Sequence, residues 1–428
     1  LAITRVRGFQ DLQGLPASVA SHIELLCREI AQTYDFREIR LPLVERVELF
    51  QRSSGETSDI VEKQMYVFPE GEEGSALVAL RPEGTPGVVR AFIETGLDKR
   101  DPEQRFFYSG PMFRRERPQK GRYRQFNQFG VEVFGRTDAA CDAELLVMID
   151  DLRKGLGLKL ETQINSLGCH RCRPSFREAL LHFGREHWGE LCDDCHSRME
   201  RNPLRLLDCK VDVKLAESAP KSLDYLCEEC RAHFATVREL AAAAGVELIV
   251  NPRLVRGLDY YTRTAFEILS GDVGSQSAVV AGGRYDGLVE ALGGSPVPGI
   301  GFAVGVERLS LAVESSPGGG SEEVSFSSFD GRVDAVLIAL GDAAIRHGMG
   351  VARSLRKAGL RVEFSAPDRR MKALLQRAAK IGARFAVIVG ENELNRKSVQ
   401  LRDLERSQQS EVPQEQLASA IRGVSAAT

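Results

Sequence analysis

The chain has 428 residues, of which 43% are hydrophobic and 27% charged, with a formal net charge of −3. That length suggests two to four domains, and that apolar content is enough for each to bury a core. No run of about 18 apolar residues occurs, and the stretch from Leu1 to Arg5 lacks a charged segment leading into an apolar one, so a membrane span and a signal peptide are not expected and a cytoplasmic location follows by default.

In chain order, Ser18 to Tyr34 reads as an amphipathic helix, with Ile23, Leu26, Ile30 and Ala31 on one face and Ser18 as N-cap. Glu38 to Glu45 is strand-like, and Pro42 within it suits an edge or interface strand. Ser75 to Arg81 reads as a further strand. The turn Arg81-Pro-Glu-Gly-Thr85 after it presents Glu83 and Thr85, which could bind an α-ammonium group; alone it reads first as a structural turn.

Phe113 to Phe126 has the pattern of a strand, a basic turn at Pro118 to Gly121 and a returning strand. Six basic residues and one acidic fall between Arg114 and Arg124, either a solvated charge run or a phosphate or nucleic-acid contact. An arginine held beside a carboxylate can grip a phosphate bidentately, so Arg114 is the candidate for an α-phosphate. Glu116 could accept from an adenine amino group and Phe126 could stack on the base. The strand Gln125 to Phe134 places Phe126, Gln128, Gly130, Glu132 and Phe134 on one face, which is a pocket floor if the strand is central and a solvated face otherwise.

From Gly168 to Val250 the sequence turns helical and charge-rich and reads as an inserted domain. Nine cysteines without a secretion signal argue against a disulfide framework. Six form C-x-x-C pairs: Cys169 with Cys172, Cys192 with Cys195, and Cys227 with Cys230. Two such pairs complete one tetrahedral zinc site, which here would be a structural staple. Nineteen residues separate the first two pairs and thirty-one the last two, so which pairs combine stays open, as does the alternative of reduced structural thiols.

Leu254 to Glu267 and Ala281 to Leu288 then set Arg256, Tyr260, Tyr261 and an Arg284-Tyr285-Asp286 run close together. Phenols able to hydrogen-bond a small ligand beside an arginine able to neutralise phosphate charge make a polar pocket on strands. Gly299 to Arg308 is a glycine-spaced strand running into a helix that bears Arg308, a common pattern when met alone. Ser315 to Asp330 has linker composition. Beyond it, strand and helix patterns alternate from Asp334 to Val389, giving a small α/β domain with a mainly parallel sheet. That region is basic, with sixteen Lys and Arg against ten Asp and Glu from Val333 onward.

Together these segments resemble the class II aminoacyl-tRNA synthetases and, within that class, the histidyl-tRNA synthetase family. The region around Pro42, with Glu48 to Val61 after it, looks like motif 1, Phe113 to Glu132 like motif 2, and Gly299 to Leu309 like motif 3. Leu254 to Glu267 and Ala281 to Leu288 are similar to the two histidine signatures, and the resemblance runs through nearly the whole chain.

The resemblance implies an α/β chain with an α+β catalytic core, an antiparallel sheet flanked by helices. Its parts would be residues 1–167 and 251–315 for the core, 168–250 for the helical insertion, 316–332 for a linker and 333–428 for an α/β anticodon-binding domain. It implies activation of L-histidine by ATP to histidyl-adenylate and pyrophosphate with Mg²⁺, then transfer to the 3′ end of tRNA(His). Glu83, Thr85, Arg114, Gln128, Glu132, Arg256, Tyr260, Tyr261 and Tyr285 would surround histidine. Arg114, Glu116, Arg122, Phe126 and Arg308 would hold ATP, Arg256 would be the catalytic arginine, and Gln119 and Lys120 would meet the tRNA acceptor end. Motif 1 implies a homodimer.

Two positions depart from the commonest pattern: Asn127, where histidine is frequent and to which no essential role is assigned, and Arg115, which adds only positive charge. The rival reading is a regulatory subunit of histidine biosynthesis on the same fold. Such proteins typically lack the complete signatures and the anticodon-binding domain.

Overall fold

β-Branched and aromatic runs build the sheet that organises the first three-quarters of the chain. The computed structural model describes residues 3–54, 60–72, 74–258, 260–271, 278–316, 333–365 and 370–425. Two units are separable, Leu1–Ser325 and Phe326–Thr428. The linker residues 317–332, the part of the motif 1 stretch from Gly55 to Asp59, and Asp259 of the first histidine signature lie outside the described residues.

The first unit contains β1 (Arg37–Glu38), β2 (Val44–Arg46), β3 (Tyr66–Pro69), β4 (Leu77–Leu80), β5 (Gln104–Phe113), β6 (Gln125–Phe134), β7 (Glu161–Ser166), β8 (Ile249–Val250), β9 (Thr262–Leu269), β10 (Ala278–Arg284) and β11 (Gly299–Gly305). Eight of them form one sheet in the order β1-β5-β6-β11-β10-β9-β7-β8, and β2-β4-β3 form a separate three-stranded sheet. The large sheet is antiparallel from β5 to β7, with parallel pairs only at its two edges. Strand β6 is therefore central, paired with β5 and β11, and Glu132 on it is 1% exposed. That decides between the two readings of its alternating face.

Three local expectations are corrected. Glu38 to Glu45 is not one strand: Pro42 lacks the N–H a ladder needs, and the segment splits into β1 and β2, which join different sheets. The first helix is Leu15–Thr33, because Pro16 fits the first turn, where its missing N–H costs nothing. Gly14 is the N-cap, and the Ser18 hydroxyl donates back to the Gly14 carbonyl (3.2 Å) inside the helix. The buried stripe of this helix is Val19, Ala20, Ile23, Cys27 and Ala31.

Residues between β7 and β8 are helical, with the long helices Arg173–Glu186 and Glu228–Ala243. Their apolar residues merge with the sheet's core, since Phe176, Leu180 and Met199 share one cluster with Tyr260, Tyr261 and Tyr285. A buried polar knot adds to this. Arg284, fully buried, donates to Asp142 (2.7 Å), and His233 from the helix Glu228–Ala243 meets the same carboxylate at 2.9 Å. Removing one partner of such a knot costs about 3–5 kcal/mol, because the other charge is left buried and unpaired.

The second unit holds β12 (Ala335–Ala339), β13 (Val362–Phe364), β14 (Phe385–Val389), β15 (Ser398–Asp403) and β16 (Gln408–Pro413), in the order β13-β12-β14-β15-β16. Strands β12, β13 and β14 are parallel as expected, but β15 and β16 add antiparallel pairs, so the sheet is mixed. This hairpin escaped the sequence because β16 is almost wholly exposed and polar, with no apolar period to read.

Candidate active site

The centre of the large sheet forms the floor of a cavity of ≈ 190 Å³. Backbone geometry places the side chains. Glu83 and Thr85 come from the turn before the helix Thr85–Glu94, and Gln128 from the middle of β6. Arg256, Tyr260 and Tyr261 come from the segment entering β9, and Tyr285 from the end of β10. Arg114, Glu116, Arg122 and Phe126 line the wall formed by the β5–β6 connection, and Arg308 closes it from the helix Val306–Ser315. Glu132 lies behind this lining, and Gln119 and Lys120 stand exposed on the turn outside it.

Two carboxyl centres stand at one end. Glu83 accepts from Tyr260 Oη (2.9 Å) and Ser54 Oγ (3.0 Å). Glu132 accepts from Thr85 Oγ1 (2.6 Å) and from the Tyr285 hydroxyl. Burial raises the Glu83 pKa against the pull of Arg114. Burial also pushes Glu132 up to about 8, opposed by hydrogen bonds from Thr85 and Tyr285 and reinforced by the like charge of Glu83. Gln128 Oε1 is buried with no hydrogen-bond partner, an acceptor waiting for a donor.

Arginines gather at the other end. Arg114 donates from Nε to the Pro82 carbonyl (2.9 Å) and lies 5.3 Å over the Phe126 ring. Arg122 pairs with Glu116. Arg308 donates to the carbonyls of Gly121 (3.1 Å) and Ala278 (3.0 Å). Its pKa is lowered by burial and then by the like charges of Arg114 and Arg122. Arg256 pairs with Glu267 and sits 5.4 Å over the Tyr261 ring, between the carboxyl end and the arginine end.

Glycines of β11 make this fit possible. A Cβ on Gly301 would overlap the Glu132 carboxylate and the Val131 carbonyl, and one on Gly299 would overlap the Tyr285 ring.

Sequence reasoning passed over Ser54, Tyr108 and Glu267, and over Glu307. Tyr108 lines the cavity among the glycines, and Glu267 orients Arg256. Glu267 lies in a segment already singled out, but only its place on β9 shows that it faces inward. Asn127 has a structural role after all. Its backbone N–H (2.8 Å) and Nδ2 (3.1 Å) both donate to Glu307, tying β6 to the helix that bears Arg308. In the Arg284-Tyr285-Asp286 run only Tyr285 reaches the cavity.

The cysteines sort into two groups whose ligand atoms all lie within 4.8 Å of one another: Cys169, Cys172, Cys227 and Cys230; and Cys192, Cys195, Cys209 and Asp212. The first pair thus combines with the third, which answers the question that spacing left open. The middle pair finds Cys209 and Asp212, neither of which stood in a C-x-x-C pattern.

Among the described residues, no helix is long and apolar enough to cross a membrane. A family model described as histidyl-tRNA synthetase matches residues 8–168 and 199–309, and one described as anticodon binding domain matches 334–423. Curated relatives named histidine–tRNA ligase include one from Aquifex aeolicus, 48% identical with 96% of this chain and 98% of that protein covered. Another, from Desulfitobacterium hafniense, is 47% identical with 96% of each chain covered. The apo histidyl-tRNA synthetase of S. aureus is similar in structure, with a TM-score of 0.80, 33% identity, and 98% of this chain and 100% of that one covered.

Proposed function

The chain belongs to the histidyl-tRNA synthetase family, and from that membership we propose how its residues divide the work. It is a class II histidine–tRNA ligase that activates histidine with ATP and charges tRNA(His). The regulatory-subunit alternative is less supported, since these full-length relatives bear the ligase name and the anticodon-binding match is present.

Histidine sits at the carboxyl end of the cavity. Glu83, with Tyr260 and Thr85 around it, receives the α-ammonium, while Gln128, Glu132, Tyr261 and Tyr285 read the imidazole. The observation that carries this assignment is the unpartnered Gln128 acceptor beside two buried carboxyl centres. A site of buried polar groups rejects analogues that leave those groups unpaired. ATP takes the arginine end, with its base on Phe126 and beside Glu116, and its phosphates on Arg114, Arg122 and Arg308.

In the first step a histidine carboxylate oxygen attacks the α-phosphorus, the bond to the bridging oxygen breaks, and pyrophosphate leaves. Arg256 and Arg114 stabilise the charge that develops on the α-phosphoryl oxygens. In the second step a terminal ribose hydroxyl of the tRNA attacks the acyl carbon and AMP departs. No covalent enzyme intermediate is required, because the acyl phosphate is already activated and positioning does the rest. Glu267 lines the cavity among the arginines and is the carboxylate that would hold Mg²⁺, which is usually bound by one or two carboxylates plus substrate phosphates. When bound, it neutralises charge on the leaving pyrophosphate.

Gln119 and Lys120, exposed on the β5–β6 turn, meet the acceptor end of the tRNA, and the basic second unit reads the anticodon loop. On the three-stranded sheet Val44 and Phe68 stand exposed on one face, apolar positions that support a homodimer formed through this region. The enzyme works in the cytoplasm, where translation consumes its product.

ATP–pyrophosphate exchange across the amino acids tests the reading. Exchange stimulated by histidine alone is the expected result, and its absence in folded protein would overturn it.

A further inference from the structure

We propose that the insertion holds two mononuclear zinc ions, one on Cys169, Cys172, Cys227 and Cys230 and one on Cys192, Cys195, Cys209 and Asp212, and that they brace the insertion against the segment carrying Arg256, Tyr260 and Tyr261. The sulfur spacings carry the first part. Tetrahedral zinc with Zn–S bonds of about 2.3 Å sets its sulfurs about 3.8 Å apart. The Sγ atoms of Cys169 and Cys172 are 3.7 Å apart, those of Cys169 and Cys227 4.0 Å, and those of Cys192 and Cys209 3.8 Å. Disulfide sulfurs would be about 2.05 Å apart, and the cysteines are free. Four ligand atoms this close surround one ion and leave no room for an iron–sulfur cluster.

The surroundings suit thiolates. The Cys227 N–H donates to Cys172 Sγ (3.1 Å) and the Asp212 N–H to Cys209 Sγ (3.3 Å), the kind of second layer that orients metal ligands and spreads their charge. Asp212 also accepts from the Cys192 N–H (3.1 Å), which fixes its carboxylate among the three sulfurs. Carboxylate oxygen is an ordinary zinc ligand. Leu226 packs against the four-cysteine group and shields it.

Both groups adjoin the histidine end of the active site. Cys169 follows β7 directly, where Leu167 N–H donates to the Arg263 carbonyl (2.7 Å) and Arg263 N–H to the Gly168 carbonyl (2.9 Å). Arg173, next to Cys172, donates to the Tyr261 carbonyl (3.1 Å). Glu229, between Cys227 and Cys230, bonds Arg263, whose φ of 47° is a left-handed conformation that the surrounding contacts must hold. Around the second group, Cys195, Leu206 and Leu207 lie in the same apolar cluster as Leu254, Val255, Tyr260 and Tyr261.

Native mass spectrometry of the full chain purified without chelator should show two zinc ions per chain, falling to one in Cys230→Ser and to one in Cys209→Ser. A metal-free mass or a single zinc in the unsubstituted protein overturns the two-site proposal, whether or not either variant folds. Exchange of cobalt into the unsubstituted protein gives a second reading: two equivalents with tetrahedral thiolate spectra are expected, and an octahedral spectrum overturns it. For the bracing role, stripping zinc should speed amide hydrogen exchange in residues 254–261 by about tenfold or more, restored by added zinc. Unchanged protection there after complete zinc loss overturns that part. None of these readouts depends on aminoacylation, so their failure is distinct from failure of the ligase assignment.

Discussion

Arg256 is the residue on which the proposed chemical step most depends. It stands between the two carboxyl centres and the arginine cluster, held by Glu267 and the Tyr261 ring. Arg256→Ala should lower histidine-dependent ATP–pyrophosphate exchange by about 10²–10³-fold, the usual effect of losing one transition-state charge partner. Thermal unfolding should confirm a folded protein; near-normal exchange would refute the role. Glu132 makes a prediction of a different kind. Its carboxyl is raised from 4.5 to about 8 in the folded protein, so between those pH values the folded chain holds a proton that the unfolded chain releases. Its contribution to stability is therefore full below 4.5 and lost as pH rises to about 8. Glu132→Gln removes that linkage, and its melting temperature should fall less than the wild type's from pH 5 to 8.5. Equal slopes would count against a raised Glu132.

At the scale of elements, the decisive contact is β11 against β6. Gly301 pairs with Glu132 in the antiparallel register, and there is no space for a side chain between them. Gly301→Ala should displace the Glu132 carboxylate, costing about 1–3 kcal/mol in stability, as overpacking does, and raising KM for histidine more than KM for ATP. Chemical denaturation and exchange kinetics would read both; an unchanged histidine KM would show that Glu132 does not touch the amino acid. Strand β6 was legible from its own residues, and the strand expected over Gln125–Phe134 is seen with those bounds. The β15–β16 hairpin was not, because an exposed polar edge strand leaves no periodic trace. Pro42 marked an interruption, but only the sheets show that it divides β1 from β2.

For the whole molecule, the two units each have apolar clusters of their own, including one that joins Ala335, Phe385 and Leu417 in the second. A chain ending at Ser325 should keep histidine-dependent exchange but lose most tRNA charging, with kcat/KM for tRNA(His) falling by at least about tenfold as anticodon contacts vanish. Parallel exchange and charging assays distinguish this from global unfolding. Phe68→Asp, on the exposed three-stranded sheet, should shift sedimentation from dimer to monomer. A dimer that persists would place the interface elsewhere.

What the amino-acid sequence determined was the inventory of chemistry: an arginine-rich turn, paired tyrosines, glycine-spaced strands and a set of thiols, each with a local pattern that residue type and spacing reveal. What only the tertiary structure decided was partnership. Glu132 with Tyr285, Arg256 with Glu267, and Cys192 with Cys209 and Asp212 join through sheet register and helix packing. A local pattern fixes which groups a segment offers. Which of them meet depends on contacts between residues far apart in the chain, which only burial of a common core brings together.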